Sequence, residues 1–241
     1  MTEIITEKQR QFNNAMEKFE KQRGYLWVGH IVSFINVGFQ IILTVLVFQQ
    51  SIGLLRQVLT FAVAYIIADF VNGLVHMYMD NNDDYESFAG PLIASFHLHH
   101  RRPLYKQKSI FAVYYYETGS KIWLVFILMA AVAGVLQGIV TGVAAYVLLY
   151  FCILSSVAEV SHYFCHTPQP KFVRLLGKAG VLLSIHYHTR HHTEDNVRYA
   201  FLNAMTDPLL NIMAKIMYSG YKNTTDMHYA CYIGKDTENR I

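Results

Sequence analysis

Four long apolar runs most constrain what this chain can fold into. They cover residues 26–48, 58–79, 122–136 and 139–157. A helix needs about 20 apolar residues to cross about 30 Å of hydrocarbon, and only the run at 122–136 is clearly shorter than that. The chain is 53% hydrophobic and 15% charged, whereas soluble domains are about one quarter charged. We therefore predict an all-α, multi-pass membrane protein with about four transmembrane helices.

Basic residues lie almost entirely on one side of these runs. Nineteen of the 20 Lys and Arg residues precede the first run, lie between the second and third, or follow the fourth. Arg56 alone lies in an opposite loop. Because cytoplasmic loops are rich in Lys and Arg, we predict that this side faces the cytosol. Ten of the 12 histidines, all except His30 and His228, form clusters on this side, so a cytosol-facing, histidine-rich cap is expected.

Composition argues against two other kinds of site. The net charge is only +3, and no basic run is interleaved with aromatic residues, so no nucleic-acid partner is expected. Cys152, Cys165 and Cys231 form no C-x-x-C pair, which leaves neither a disulfide framework nor a thiolate zinc site. Any metal ion is therefore expected among nitrogen and oxygen ligands.

The runs and polar segments divide the chain into three parts. Residues 1–25 form an N-terminal amphipathic or cytosolic segment without the apolar core of a signal peptide. Its apolar residues recur at roughly helical spacing, at Ile5, Phe12, Met16 and Phe19, so it either lies on the membrane surface or forms a solvated helical tail. Residues 26–217 form the membrane-embedded domain, in which 172–183 is interfacial or re-entrant and 200–217 is an amphipathic cover. Residues 218–241 form a polar, partly mobile tail.

Histidine recurs at helical spacing in four separate segments. The strongest pattern is H-x-x-H-H, formed by His188, His191 and His192. Positions i, i+3 and i+4 of a helix share one face, so these three imidazoles are expected to converge on one point. The other segments contain His76 with Asp80, His97 with His99 and His100, and His162 with His166. Such clusters are typical of metal or catalytic sites.

Charged residues near the apolar runs provide further candidates. Asp69 lies deep in the second run, where an acid is costly and is a functional candidate by default. It is seven residues before His76 and shares its helical face. Arg101 and Arg102 are suited to lipid headgroup phosphates, although a solvated, positive-inside loop would explain them equally well.

The number of histidines favours two metal ions over one. A zinc ion takes at most four protein ligands, whereas this chain offers about ten candidates. An imidazole-rich site without thiolates suits iron, zinc, copper or nickel. Two iron ions that activate O2 would allow hydrogen to be removed from an unactivated C–H bond of an alkyl chain that enters from the bilayer.

Other functional classes fit the sequence less well. A hydrolase is disfavoured because neither G-x-S-x-G nor H-E-x-x-H occurs. A transporter, or a metal-binding membrane protein without enzymatic activity, remains an alternative because the intramembrane Asp69 is suited to relaying ions.

Four motifs in order resemble one family. They read A-D-F-V-N-G-L-V-H-M-Y-M-D (68–80), S-F-H-L-H-H (95–100), E-V-S-H-Y-F-C-H (159–166) and H-T-R-H-H (188–192). Over residues 64–217 this arrangement resembles the Kua/CarF-type lipid desaturases. The resemblance implies an endoplasmic reticulum enzyme with two histidine-ligated iron ions, O2 as co-substrate, a membrane phospholipid substrate and a cytochrome b5-type electron donor. The metal ligands that it implies are His76, Asp80, His99, His100, His162, His166, His188, His191 and His192.

The resemblance also suggests a reaction. The best-known activity of that family dehydrogenates the 1-O-alkyl chain of an ether phospholipid to the vinyl ether of a plasmalogen. An acyl-lipid desaturase and a fatty acid or sterol hydroxylase share such ligands and remain alternatives. No histidine lies between His100 and Glu117, where animal members carry one, and Met77 replaces a frequent tryptophan. His97 and His186 are candidates for the missing ligand or, together with Asp69, for supporting roles around the metal ions.

Overall fold

The computed structural model describes residues 6–21, 23–101, 108–230 and 232, without the side chains of Arg23, Tyr25 and Ala230. All regular structure in these ranges is helical. The helices are α1 (Glu7–Lys21), α2 (Arg23–Phe48), α3 (Leu54–Asn81), α4 (Gly90–Arg101), α5 (Ile110–Glu117), α6 (Ile122–Leu136), α7 (Gly142–Cys165), α8 (Lys171–Lys178), α9 (Ile185–Thr193), α10 (Asp207–Met217) and α11 (Thr225–Ala230). A 3₁₀ turn, Thr118–Ser120, joins α5 to α6.

In this part of the chain, three helical segments are long and apolar enough to cross a membrane: Leu26–Phe48, Leu54–Asn81 and Gly142–Cys165. A fourth crossing exists only if Ile110–Ser120 and Ile122–Leu136, which meet at 94°, are counted as one bent span. The predicted all-α, multi-pass membrane architecture is confirmed. The short run at 122–136 forms α6, which has only 15 residues and is one arm of this bent pair.

Polar side chains support the bend between α5 and α6. Asn36 Nδ2 donates hydrogen bonds to the carbonyl oxygens of Thr118 and Lys121, at 3.2 and 3.1 Å. The Lys121 ammonium pairs with the Glu159 carboxylate at 2.7 Å and also donates to the side chain of Asn72. Both members of this ion pair are buried. Because a buried charge is stable only when it is well paired, these contacts fix the position of α6 against α7.

Helices α3 and α7 form the centre of the bundle. Ala64 and Ala68 of α3 are fully buried in this core. Small residues let helix backbones approach closely in a membrane. Farther along the interface, Asn72 Nδ2 donates to Ser155 Oγ at 3.1 Å. This interface brings the C-terminal ends of α3 and α7 to the same end of the bundle.

The segment between α9 and α10 is a buried loop. Tyr199, Ala200 and Leu202 are each 0% exposed. The Asp69 carboxylate accepts hydrogen bonds from the backbone N–H groups of residues 202, 203 and 206, at 3.2, 3.0 and 3.0 Å. The Thr206 hydroxyl donates to it at 2.7 Å. The amphipathic cover predicted at 200–217 therefore begins only at α10, which packs on α3 where Gly73 leaves room for Leu210.

Helix α1 packs on the protein. Phe12 and Met16 are 0% and 2% exposed, and the Phe12 ring meets the Tyr85 ring edge-on at 5.3 Å. The apolar face of α1 thus covers the region around α4. Residues 6–21 therefore do not form a solvated tail, whereas a position of this helix at the membrane surface stays a prediction; Ile5 lies outside the described residues.

The chain beyond α10 also folds back on the molecule. Tyr221 is 0% exposed, and Thr225 and Asp226 are each 3% exposed. The Thr225 hydroxyl donates to the Asp80 carbonyl oxygen at 2.6 Å, which holds α11 against the end of α3. Residues 218–230 therefore pack on the bundle, and the mobility expected for part of the tail stays a prediction. The sequence does not predict these buried contacts, because isolated polar residues form them.

Helix α8 is amphipathic and too short to span a membrane. It has eight residues and exposes Phe172 and Leu175 while burying Val173. The Tyr65 hydroxyl donates to the carbonyl oxygen of Val181, so the turn after α8 lies against α3. An interfacial or re-entrant position for residues 172–183 stays a prediction.

Candidate metal centre

The first histidine cluster surrounds the carboxylate of Asp80. His76 lies one turn earlier on α3, His100 lies at the end of α4, and His191 lies on α9. Their Nε2 atoms are 3.2, 3.3 and 3.4 Å from the carboxylate oxygens. All four residues are buried. One atom from each lies within 4.8 Å of the others, so together they could hold one metal ion.

Hydrogen bonds from behind orient the imidazoles of the first cluster. His76 Nδ1–H donates to the Tyr199 carbonyl oxygen at 2.8 Å, and His191 Nδ1–H donates to the Val197 carbonyl oxygen at 2.9 Å. Because a carbonyl only accepts, these contacts put the proton on Nδ1 and leave a lone pair on Nε2. Outer contacts of this kind orient metal-ligating histidines.

Two carboxylates make the first cluster favourable for positive charge. His100 Nδ1 contacts Asp226 Oδ1 at 3.0 Å, and its Nε2 faces Asp80. Burial lowers the pKa of His100, but the two carboxylates outweigh it and raise this pKa to about 9. A metal cation would satisfy the same negative potential.

The second histidine cluster contains five imidazoles without a carboxylate among them. Its members are His99 of α4, His162 and His166 at the end of α7, and His188 and His192 of α9. His188 Nε2 lies 3.0, 2.9 and 3.0 Å from the Nε2 atoms of His162, His166 and His192. His99 Nε2 lies 3.0 Å from His166 Nε2. His99, His162, His166 and His188 form the second group that could hold a metal ion.

Burial keeps these imidazoles neutral. It lowers the pKa of His99 and of His188 well below the ordinary value, and neighbouring imidazoles add to the effect. For the same reasons the pKa of His166 falls to about 4 and that of His192 to about 2. A neutral imidazole offers a lone pair to a metal ion, so the second cluster is suited to binding one near neutral pH.

The geometry of both clusters fits bound metal ions. Two ligands at right angles on an ion with metal–nitrogen distances of about 2.1 Å lie about 3.0 Å apart. Five pairs of Nε2 atoms in the second cluster are 2.9–3.2 Å apart. In the first cluster, neither oxygen of the buried Asp80 carboxylate has a well-formed hydrogen bond from any residue that the structure describes. A buried carboxylate is stabilised by positive charge, which a metal ion would supply, so the residues fit one metal ion in each cluster.

The nine residues for which the family resemblance implied metal ligation all lie in these two clusters. Sequence neighbours, however, belong to different clusters: His99 and His192 to the second, and His100 and His191 to the first. Adjacent residues of a helix point about 100° apart, which explains the division. The expectation that all three histidines of H-x-x-H-H converge on one point is therefore wrong, since only His188 and His192 share a cluster.

Three further candidates have other roles. Asp69 holds the loop at 199–206, as described above. His97 contacts the Met79 carbonyl oxygen through Nε2 at 2.9 Å and the Tyr85 hydroxyl through Nδ1 at 2.8 Å, so both ring nitrogens are used structurally. His186 is exposed on the outer face of α9. The structure supports none of the three as a metal ligand, and neither His97 nor His186 replaces the missing family histidine.

The suggested headgroup contacts lie beside the clusters. Arg101 is exposed at the end of α4, next to His100. Arg102 lies outside the described residues. A role for either in contacting lipid phosphates stays a prediction.

Sequence reasoning missed the groups that surround the clusters. Phe201 packs on His76 and on His162, at ring distances of 4.2 and 4.3 Å, and so contacts both clusters. Asp226 and Tyr221 come from a tail that was expected to be polar and partly mobile. The Tyr221 hydroxyl donates to the backbone carbonyl of His191 at 2.8 Å. No periodic pattern marks these residues, and only their tertiary position reveals them.

A cavity of about 570 Å³ reaches the second cluster. His99 and His162 lie in its wall, together with largely apolar side chains such as Leu92 and Phe96. Among the described residues that line the cavity, none is a ligand candidate of the first cluster. The two clusters thus differ in their access to a ligand.

Comparison with known proteins identifies the family. Residues 65–217, well over half of the chain, match the family model for the lipid desaturase domain. This range contains both clusters except for the outer contact Asp226. No curated protein and no solved structure matches the chain. The histidine-rich membrane protein described above therefore belongs to the lipid desaturase domain family.

Proposed function

We propose that this protein is a di-iron lipid desaturase that converts a saturated C–C bond in a chain of a membrane phospholipid into a double bond. The lipid desaturase domain implies an oxidoreductase that acts on a membrane lipid. The observation that carries the di-iron proposal is the pair of adjoining clusters, each with four groups that could hold a metal ion. A chain R–CH2–CH2–R′ would react with O2, two electrons and two protons to give R–CH=CH–R′ and two water molecules.

The ligand set favours iron as the metal. Imidazole with few carboxylates suits iron, zinc, copper or nickel, and among these iron is a common metal for O2 chemistry in enzymes. When bound, the two ions would supply the activation of O2 that removal of hydrogen from an unactivated C–H bond requires. His76, Asp80, His100 and His191 would hold one ion. His99, His162, His166 and His188 would hold the other, with His192 as a further ligand.

The residues around the clusters would orient the ligands and exclude water. The backbone carbonyls of residues 197 and 199 fix His191 and His76, and Asp226 fixes His100. Phe201 is 3% exposed and covers His76 and His162 on one side. A dry pocket of this kind protects a reactive site from side reactions.

As the finer substrate assignment, we propose the 1-O-alkyl chain of an ether phospholipid, which would become the vinyl ether of a plasmalogen. The motifs at 68–80, 95–100, 159–166 and 188–192 support this choice because they resemble the Kua/CarF-type enzymes. We also propose a cytochrome b5-type electron donor and a location in the endoplasmic reticulum with both clusters facing the cytosol. The distribution of basic residues supports that orientation.

Purified protein reconstituted with iron, O2 and a cytochrome b5 reductase system tests the proposal. Supplied separately with a 1-O-alkyl and a 1-acyl phospholipid, it is expected to remove two hydrogens from the ether lipid, which mass spectrometry and acid lability of the product would show. Conversion of the acyl lipid alone would refute the ether-lipid assignment but not the desaturase. Addition of one oxygen atom would identify a hydroxylase. Less than about one iron per chain, with zinc in its place, would contradict the O2 chemistry.

A further inference from the structure

One face of α4 forms a wall that leads to the second cluster. Leu92, Ser95, Phe96 and His99 all line the cavity, at positions i, i+3, i+4 and i+7 of the helix. Residues with this spacing lie on one side of a helix. At 1.5 Å per residue, the wall from Leu92 to His99 is about 10 Å long. The cavity therefore follows α4 over about this length, with a candidate metal ligand in its wall.

The outer part of the cavity is apolar and exposed. Phe88 is 75% exposed and Leu26 is 55% exposed, and both line it. Leu26 begins the first candidate membrane span, whose neighbouring residues Ile31 and Phe34 are 53% and 72% exposed. The rim thus adjoins the exposed apolar surface of α2, a candidate membrane span. Exposed apolar surface of this kind is typical of membrane contacts and ligand-binding grooves, which favours entry from the bilayer over entry from water.

The charged groups in the wall have partners within the protein. The Glu159 carboxylate pairs with Lys121 at 2.7 Å, and Glu117 pairs with Lys108 at 3.4 Å. Glu20 accepts a hydrogen bond from the Tyr232 hydroxyl at 3.1 Å. A charged ligand would have to replace these contacts, whereas a hydrocarbon chain would not.

We propose that this cavity binds one hydrocarbon chain of a membrane lipid, which enters sideways between the first turns of α2 and the start of α4 and passes Leu92, Ser95 and Phe96 to reach His99 and His162. A volume of about 570 Å³ lies within the range of ligand pockets. The proposed reaction at the second cluster depends on the proposed function, but the binding of the chain does not. The carbons that come to lie beside His99 and His162 are then the ones that react.

Photo-crosslinking of metal-free protein tests the binding site apart from the chemistry. The probe is a phosphatidylcholine with a diazirine in one chain, supplied in phosphatidylcholine vesicles. Labels are expected on peptides of α4 around residues 92–96 and of α2 around residues 28–33. The variant Ser95→Phe places an aromatic ring inside the cavity, and labelling there is expected to fall several-fold. Ala130→Phe adds the same ring to an exposed position of α6 and should leave the labelling unchanged.

The outcomes separate the binding site from the proposed reaction. Labels confined to the outward faces of the spans in wild-type protein would overturn the cavity proposal, even if Ser95→Phe failed to fold. Labelling inside the cavity that Ser95→Phe leaves undiminished, in protein with an unchanged melting temperature, would overturn it as well. If the wild type is labelled in the cavity but forms no double bond when loaded with iron, the proposed function fails while the chain site stands.

Discussion

The two histidine clusters adjoin each other but are built differently. The first is organised around the carboxylate of Asp80, and its imidazoles are fixed from behind by backbone carbonyls and Asp226. The second has five imidazoles without a carboxylate, and two of them line the cavity. His192 connects the two, since its Nδ1–H donates to the His100 carbonyl oxygen at 3.2 Å. Under the proposed function, the first cluster would hold its metal ion away from the cavity, whereas the second would meet the substrate.

Loss of His188 is expected to have the largest effect. Its Nε2 contacts three other imidazoles, so His188→Ala removes the centre of the second cluster. We expect activity to fall below detection and about one metal ion per chain to be lost, as measured by product formation and metal analysis. His186→Ala is the matched control because His186 lies two residues away on the exposed face of α9. Equal loss of activity and metal in both variants would contradict the assignment of the site to the inner face of α9.

Asp80→Asn tests whether the first cluster depends on its carboxylate. The amide keeps the shape of the side chain but removes the negative charge that faces three imidazoles. Metal affinity of the first cluster is expected to fall about 100-fold, while the second cluster keeps its ion. Titration of metal-free protein with iron would show one tight and one weakened site. If both sites weakened equally, the division into two centres would be wrong.

Asp226→Asn should have a smaller effect that is also confined to the first cluster. Asp226 supports His100 from behind at 3.0 Å and does not face Asp80. Loss of an outer contact of this kind lowers metal affinity about 10-fold. Lys222→Met is the control, since Lys222 pairs with the other oxygen of Asp226, also at 3.0 Å. A stronger effect of Lys222→Met than of Asp226→Asn on the iron affinity of the first cluster would contradict the orienting role of Asp226.

The sequence could single out the histidines and the aspartate of both clusters as candidate metal ligands because their signals are local. Pairs at i, i+4 such as His76 with Asp80, and His162 with His166, identify one helical face without knowledge of the fold. The long apolar runs likewise predicted the spans, since length and hydropathy suffice for that purpose. Asp69 shares the face of His76 in the sequence, but the loop at 199–206 takes up its carboxylate.

The division into two clusters could not be read from the sequence. Whether His99 or His100 belongs to a given cluster depends on the rotation of α4 about its axis, which is set by packing against α1 and α3. The tail that provides Asp226 and Tyr221 has no apolar periodicity, so only tertiary contacts reveal its position. The same holds for Lys121 and Glu159, whose pairing joins residues 38 positions apart.

The smallest effect that we predict for a variant concerns the loop at 199–206, which covers both clusters. Asp207 lies at its end, and its Oδ1 accepts a hydrogen bond from the Ala200 N–H at 2.9 Å. Burial, aided by the charge of Asp69, raises the pKa of Asp207 to about 6 from its ordinary value of 3.8. The unfolded chain therefore releases this proton at lower pH than the folded protein does. The stabilisation that protonated Asp207 contributes to the folded protein is fully present below about pH 4 and is lost as the pH rises through 6.

Asp207→Asn removes this pH dependence but keeps an oxygen for the Ala200 N–H. A shift of about two units corresponds to about 3 kcal/mol, so the variant is expected to gain up to that amount relative to wild type at pH 7 and nothing at pH 4. Thermal unfolding in detergent at both pH values measures the difference. An equal gain in stability at both pH values would show that the charge of Asp207 is not the cause. Because the loop contacts both clusters through Phe201, iron affinity should change equally in the two, unlike the effect of Asp226→Asn.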